Sequence, residues 1–226
     1  ASQVYGGRAT SSKAIAAVER TRGQVLTWDG RVITAFFSAS SGGVSQDGSA
    51  AFPDRQGRAD IPPLRGRQHG WGRSSGNFAW GPIHRDTREL SQRLAAWGRA
   101  NRHAVAGIGR VTRIDVVQRG SSGRPAVFQL VDDRGQVFRL PAEPFRFASN
   151  ADAPGLPKLD PSQQLKSSFV DVRVAPGGYV ATFTGRGHGH GVGLDQWAAR
   201  DMAAQGYTGH QIVTFFYPGA QLQKLY

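Results

Sequence analysis

The chain has 226 residues, 39% hydrophobic and 19% charged, with 30 Gly and 12 Pro, a turn-rich composition that excludes a coiled coil, a collagen or a disordered tail. That length suits one domain with a real core, and no apolar run is long enough to span a membrane. Lys and Arg number 28 against 16 Asp and Glu, giving a net charge of +12, and Cys is absent, which excludes disulfides, thiolate nucleophiles and cysteine zinc sites.

In chain order, Ser12 to Arg20 reads as a short helix with Ile15 and Val18 on one face. Val25 to Trp28, Asp29-Gly30 and Arg31 to Phe37 read as a hairpin, because Asp-Gly supplies the positive φ of a two-residue primed turn. The second strand runs into the small, polar stop Ser38-Ala-Ser-Ser-Gly-Gly43. Residues 44–82 show no usable period and are expected to form an irregular, Arg-rich excursion; a loop this long inside a domain is usually functional or mobile. Asp86-Thr-Arg-Glu89 is a capping-box pattern, and Leu90, Leu94 and Trp97 follow at helical spacing, so a helix is expected to about Arg102.

A meander is expected next, over Val111–Gln118, Ala126–Val131 and Gln136–Leu140, and then loop from Ala148 to Pro161. Phe169–Val174 and Tyr179–Thr184 form a second hairpin around Pro176-Gly-Gly178. After a glycine-alternating segment, a helix runs from about Leu194 to Gln205, stopped by Gly206. Thr208-x-x-Gln211 opens a last helix carrying Ile212, Phe215 and Phe216. Strands and helices mix without a βαβ rhythm, so the expected class is α+β with mostly antiparallel sheets.

The charge is uneven. From Arg55 to Arg113 there are twelve Arg against Asp60, Asp86 and Glu89. A polyanionic partner fits this excess, whether nucleic acid, anionic lipid or an acidic wall polymer; a merely solvated face fits it too. The nucleic-acid reading rests on charge alone, with no recognition motif.

Gly185-Arg-Gly-His-Gly-His-Gly-Val-Gly193 has Gly at every odd position. As an extended strand it would project Arg186, His188, His190 and Val192 from one face, leaving bare backbone on the other for close approach. The two imidazoles would then lie about 7 Å apart at Cα. It lacks the Lys-Ser/Thr ending of a P-loop, and no frame fits G-x-G-x-x-G. A zinc held by His188 and His190 would need a third protein ligand, and a Gly-rich turn with histidine as filler is the plainer alternative.

These residues resemble a known family. Gly185 to Ala199, Met202-Ala, Gln205-Gly-Tyr207 and Phe216-Tyr-Pro-Gly-Ala-Gln-Leu222 are similar to the end of the stage II sporulation protein D domain, a family that includes amidase enhancers. Ser2-Gln-Val-Tyr-Gly-Gly7, Thr21 to Leu26, Phe37 to Gly43, Ser122-Gly-Arg124, Phe145-Arg146 and Leu165-Lys-Ser-Ser-Phe169 match its earlier signatures in order. The resemblance implies a single domain over 1–226, outside the cytoplasm, in the cell envelope or periplasm or secreted. It implies work on peptidoglycan: lytic transglycosylase cleavage of the MurNAc-GlcNAc bond, or wall binding that enhances an N-acetylmuramoyl-alanine amidase. The implied partners are peptidoglycan or another anionic wall polymer, with a wall amidase or a missing N-terminal fragment; nucleic acid is not expected. No cofactor is implied in general. Some members carry a zinc that partly uses Cys, and this chain has none.

In the family, the catalytic acid is a Glu on a helix preceding the Gln-Val-Tyr-Gly-Gly segment, which places it upstream of Ser2. Cleavage needs a proton donor at the leaving oxygen. Of the three Glu, Glu19 sits on a helix, Glu89 reads as a capping residue and Glu143 lies between prolines in a loop, so none falls in a signature. Asp195, where the family usually has Ser, is the internal candidate, or else a helix N-terminal Asp. The catalytic candidates are therefore His188, His190 and Asp195. The substrate-binding candidates are Tyr5, Ser40, Ser41, Gly42, Gly43, Lys166, Arg186 and Gln196, with Trp197 as a further stacking surface and Lys166 and Arg186 as holders of a wall carboxylate.

Overall fold

A computed structural model describes residues 11–55 and 57–226. The chain opens with helix α1 (Ser12–Arg20), strands β1 (Gln24–Trp28) and β2 (Arg31–Val32), and strand β3 (Phe37–Ser38). Asp29 and Gly30 both have positive φ, at 50° and 68°, as the primed turn requires. The second strand is shorter than the expected run to Phe37. It ends at Val32, and β3 pairs elsewhere.

Helix α2 (Gly48–Ala51) and two 3-10 turns, Pro53–Arg55 and Pro62–Leu64, break up the Arg-rich stretch. Its end is not loop: strand β4 (Ala79–Asp86) already includes Pro82. The stretch also packs inward, with Ala51, Ala59 and Leu64 in a buried cluster. Helix α3 (Thr87–Ala100) follows, and the Asp86 side chain accepts from the amides of Arg88 and Glu89, as the capping pattern predicts. Glu89 pairs with Arg93 at 2.8 Å instead of closing the box.

Strands β5 (Val111–Arg119), β6 (Pro125–Asp132) and β7 (Val137–Pro141) are the predicted meander. Glu143 lies not in a loop, as its flanking prolines suggest, but in helix α4 (Ala142–Ser149); Pro144 is tolerated because it sits in the first helical turn. Strands β8 (Val170–Val174) and β9 (Val180–Arg186) pair as expected, with β4 on the other side of β9. Strand β10 (Leu194–Asp195), helices α5 (Gln196–Ala204) and α6 (Gly209–Phe216), and strand β11 (Gln221–Lys224) complete the chain. The last strand returns to pair with β1, a contact no local pattern announces.

The result is α+β with antiparallel sheets, apart from the short parallel pair β10 and β3. Two apolar clusters organise it. One, built on Phe128, Phe145, Phe183, Leu90 and Leu94, lies between the β4–β9–β8 sheet, the β5–β6–β7 sheet, α3 and α4. The other, built on Phe36, Leu64, Val192, Met202, Ile212 and Phe216, underlies α5 and α6. Each fully buried Leu or Phe contributes roughly 1.5–3 kcal/mol of transfer free energy. Residues 187–193 are the strap that carries the chain from Phe183 in the first cluster to Val192 in the second.

Candidate functional site

The strap is not the extended strand its alternation suggests. Strand β9 ends at Arg186, and Gly187, Gly189, Gly191 and Gly193 all have positive φ, between 68° and 96°. Left-handed glycines at every second position make a tight zigzag, a conformation other residues resist. The space is equally demanding. A Cβ on Gly187 would lie 2.5 Å from the Ser40 carbonyl oxygen, and one on Gly191 would sit on the Arg124 guanidinium.

Neighbouring segments grip this zigzag on both sides. His188 and Ser40 exchange backbone hydrogen bonds at 2.7 and 3.1 Å. On the other edge Gly189 N donates to Lys166 O at 2.9 Å, and Ser167 Oγ donates to Arg186 O at 2.5 Å. Gln46 N donates to Gly191 O at 2.9 Å. Arg124 is fully buried beside Gly191 and donates to the carbonyls of Ser41 and Val44 at 3.2 and 2.8 Å. Burial lowers Arg124 to about 10, partly offset by Glu143 and Asp195, so it keeps its charge at neutral pH. Tyr217 completes the frame: its hydroxyl donates to Phe36 O at 2.6 Å, and burial raises it to about 12.

Four signature segments remote in sequence therefore meet. The structure brings together Ser40, Ser41, Gly42, Gly43, Lys166, Arg186, His188, His190, Asp195 and Gln196; Tyr5 lies outside the described residues. Gln196, the first residue of α5, is exposed, as is Arg186.

Asp195 is wholly buried. Its Oδ1 accepts from Ala198 N at 2.8 Å, capping α5, and its Oδ2 accepts from the amide and the hydroxyl of Ser41, each at 2.7 Å. It acts as the helix-capping Asp of the plainer reading and a tie to the serine loop. Ser40 and Ser41 are each 1% exposed, so their hydroxyls shape the loop from inside. Gly42 N donates to Ser40 Oγ at 3.3 Å, and Gly43 O accepts from His69 and Gly70.

His69 is the partner that sequence reasoning missed, because it lies in the stretch without a period. Its Nε2 is 2.9 Å from Ser41 Oγ, while its Nδ1 accepts from Trp71 N at 3.2 Å. Burial lowers it to about 4, against the pull of Asp195, so the ring is neutral at pH 7. With Nδ1 accepting, the proton is on Nε2 and is donated to Ser41 Oγ. Ser41 in turn donates to Asp195. The serine has no free base, and the trio is a structural network rather than a nucleophilic one.

The two strap histidines face different surroundings. His190 lies edge-on to Phe52, with ring centroids 5.0 Å apart, and its Nδ1 accepts from Val192 N at 3.0 Å. Burial lowers its pKa, Glu143 opposes this, and Arg146 and Arg124 reinforce it. His188 is exposed, with Nδ1 3.5 Å from Asn77 Nδ2. Among the described residues no three His, Asp or Glu side chains gather as a metal would require, so the residues here do not form the ligand set a zinc takes.

His188 opens onto a cleft of about 390 Å³ whose polar walls are Asn77, Arg146, Asn150, Ser162, Gln164 and Lys166. Lys166 Nζ donates to Asn77 Oδ1 at 2.9 Å, linking the 165–169 signature to the strap through Asn77. No carboxylate lines this cleft. Glu143 lies behind Arg146, only 4% exposed, with its Oε2 2.6 Å from the guanidinium. Burial pushes Glu143 up, but Arg146, with help from Ser168 and His190, outweighs it and holds the carboxyl below the usual range. It is ionised at neutral pH and has no proton to give. Glu19 is on α1, exposed beside Arg22, and Glu89 is held by Arg93.

Comparisons with known proteins agree with the motif reading. The chain is 27% identical to the amidase enhancer of Bacillus subtilis (strain 168), over 97% of this chain and 34% of that protein. It is 25% identical to stage II sporulation protein D of Bacillus subtilis (strain 168), over 92% of this chain and 50% of that protein. The protein of the same name from Bacillus amyloliquefaciens matches to the same extent. No family model matches the chain. The resemblance to the stage II sporulation protein D and amidase enhancer family thus extends over more than nine-tenths of the chain. The chain spans about a third to a half of the length of these relatives.

Proposed function

We propose that this chain binds bacterial peptidoglycan in the cell envelope and takes part in its remodelling. The observation that carries the reading is that the Phe37–Gly43 and Leu165–Phe169 signatures both hydrogen-bond to the Gly185–Gly193 strap, and that His188 of this strap lines one polar cleft with Lys166 and Arg146. A shallow, hydrogen-bonding groove with a positive rim suits a hydroxyl-rich polymer that also bears carboxylates.

Two roles for that binding remain in play, each with its own support. Lytic transglycosylase cleavage is supported by the family resemblance. The second role is a wall-binding accessory that enhances an amidase. It is favoured by the carboxyl groups of the described residues: Glu143 is ionised and behind Arg146, and Asp195 is buried as a cap. The name of the amidase enhancer relative points the same way.

The test is co-sedimentation with purified sacculi, followed by mass spectrometry of the soluble fraction for 1,6-anhydro-muramyl products. We expect the chain to sediment with sacculi; release of 1,6-anhydro-muramyl products would assign the cleaving role, and sedimentation without release the accessory role. Failure to sediment with sacculi at low salt would overturn the reading. Release at full enzymatic rates would place the acid within these residues.

A further inference from the structure

We propose that the cleft beside His188 is a carboxylate-reading subsite, with Lys166 as the charge that selects a carboxylate-bearing sugar or peptide over a neutral glycan. This rests on the peptidoglycan reading and adds to it the chemical feature of the wall that is recognised.

The argument is one of charge and geometry. Two cations line the cleft, Arg146 from α4 and Lys166 from the 165–169 segment, and no acid lines it. Arg146 already has a carboxylate in Glu143, at 2.6 Å on the side away from the cleft, so that pair is close to neutral. Lys166 forms no salt bridge among the described residues; its ammonium has only the neutral Asn77 Oδ1, at 2.9 Å. An ammonium has three protons to donate, and this one keeps further donors for a ligand. Its position is fixed from behind, because Lys166 O accepts from Gly189 N and Asn150 holds both the amide and the carbonyl of Leu165 at 2.9 Å.

The remaining walls supply neutral donors. Asn77 Nδ2 is near His188 Nδ1, and both residues line the cleft. His188, at the surface but with its ring partly covered, is held below its ordinary pKa, first by that partial desolvation and then by Arg146 and Lys166. The same field that disfavours a proton on the imidazole favours an anion beside it. A bound carboxylate would add the missing negative charge and let His188 take up a proton more readily.

A wall glycan offers a carboxylate from two sources: the lactyl group of a muramyl sugar without its peptide, or the free carboxyls of a stem peptide. The experiment measures affinity by calorimetry for three soluble oligomers of equal length. These are chitin oligomers, muramyl glycan stripped of peptide, and muramyl glycan with peptides attached. At least one muramyl ligand should bind about tenfold tighter than chitin, as expected for a charge-assisted hydrogen bond. Tighter binding of stripped glycan assigns the lactyl carboxylate, and tighter binding of the peptide-bearing form assigns the stem. Lys166→Met should bring the preferred ligand to within about threefold of chitin, and Lys166→Arg should retain the preference. In NMR titrations the His188 pKa should rise on binding the preferred ligand and stay unchanged with chitin.

Equal affinities for all three ligands in the unmodified protein, or an equal loss for all three in Lys166→Met, would overturn the proposal. If sacculus binding persists in that case, only the carboxylate assignment falls. If the protein fails to bind sacculi at all, the peptidoglycan reading falls and this one with it.

Discussion

Asp195 and His69 hold the Ser41 hydroxyl from two sides and tie the serine loop in place through buried hydrogen bonds. Asp195 accepts three hydrogen bonds from two segments. In Asp195→Asn one acceptor oxygen becomes a donor and faces another donor, the Ser41 amide or the Ala198 amide. The expected outcome is a fall in stability of about 1–3 kcal/mol, read by thermal denaturation. A catalytic acid would behave otherwise, losing turnover with an unchanged melting temperature. His69 adds a pH dependence. It is held at about 4 when folded, against 6.5 in an unfolded chain. Its contribution to stability is therefore complete above pH 6.5. It is lost as pH falls from 6.5 to 4, because over that range the unfolded chain takes up a proton that the folded one refuses. His69→Gln should reduce the drop in stability across that window by on the order of 2 kcal/mol, allowing for the ring's partial exposure. Identical slopes for the two proteins would contradict the buried, neutral His69. Neither residue's partner was legible in the sequence. Asp195 stood out because it sits beside two histidines, but Ser41, His69 and Asp195 are joined only by the fold.

At the scale of elements, the strap shows where pattern reading succeeds and stops. The five alternating glycines marked the segment correctly as a place of close backbone approach. They did not distinguish an extended strand from a left-handed zigzag, since glycine adopts both. What decides is the surroundings: Ser40, Lys166 and Arg124 press on the backbone from separate elements. Gly191→Ala is the sharpest test. It places a methyl group on a buried guanidinium at a φ of 75°, and should cost about 2–4 kcal/mol. Gly76→Ala has open space and an ordinary φ, and should stay within about 0.5 kcal/mol. Comparable melting temperatures for the two variants would mean the strap is not packed as described. Turn and cap chemistry was legible throughout: Asp29-Gly30, Asp86 and Thr208 all act as their sequence context suggests. Elements that depend on distant partners were not. Strand β4 contains Pro82 and lacks a clean period, yet β9 accepts it as a neighbour, and β11 exists only because β1 is there.

For the whole molecule, the charge of +12 divides into two kinds. Arg85, Arg93 and Arg124 are buried. Arg93 donates to the carbonyls of Ala151 and Pro157, each at 2.9 Å, and Arg85 to those of Ser149 and Gln163, so these two clamp the long loop behind the cleft. They tell nothing about a partner, and a composition count cannot separate them from the rest. Other Arg remain at the surface; Arg88, Arg99 and Arg110 share one groove with no acid among its lining residues. Sacculus binding should therefore weaken as salt rises, since the Debye length shrinks from about 10 Å at 0.1 M to about 3 Å at 1 M. Binding that is unchanged over that range would assign the contact to neutral hydrogen bonds alone.

The central claim is that the strap and the segments gripping it form the surface that meets the wall. The most direct measurement is backbone and histidine NMR of the labelled protein during titration with soluble muramyl glycan oligomers. The account predicts that the largest shift changes fall on Asn77, Lys166, His188 and Gly189, with smaller ones through Ser40–Gly43. Changes confined to the Arg88–Arg110 groove, or to the apolar groove that Val32, Ile33, Val213 and Leu222 line between β2 and α6, with the strap unmoved at saturation, would contradict it.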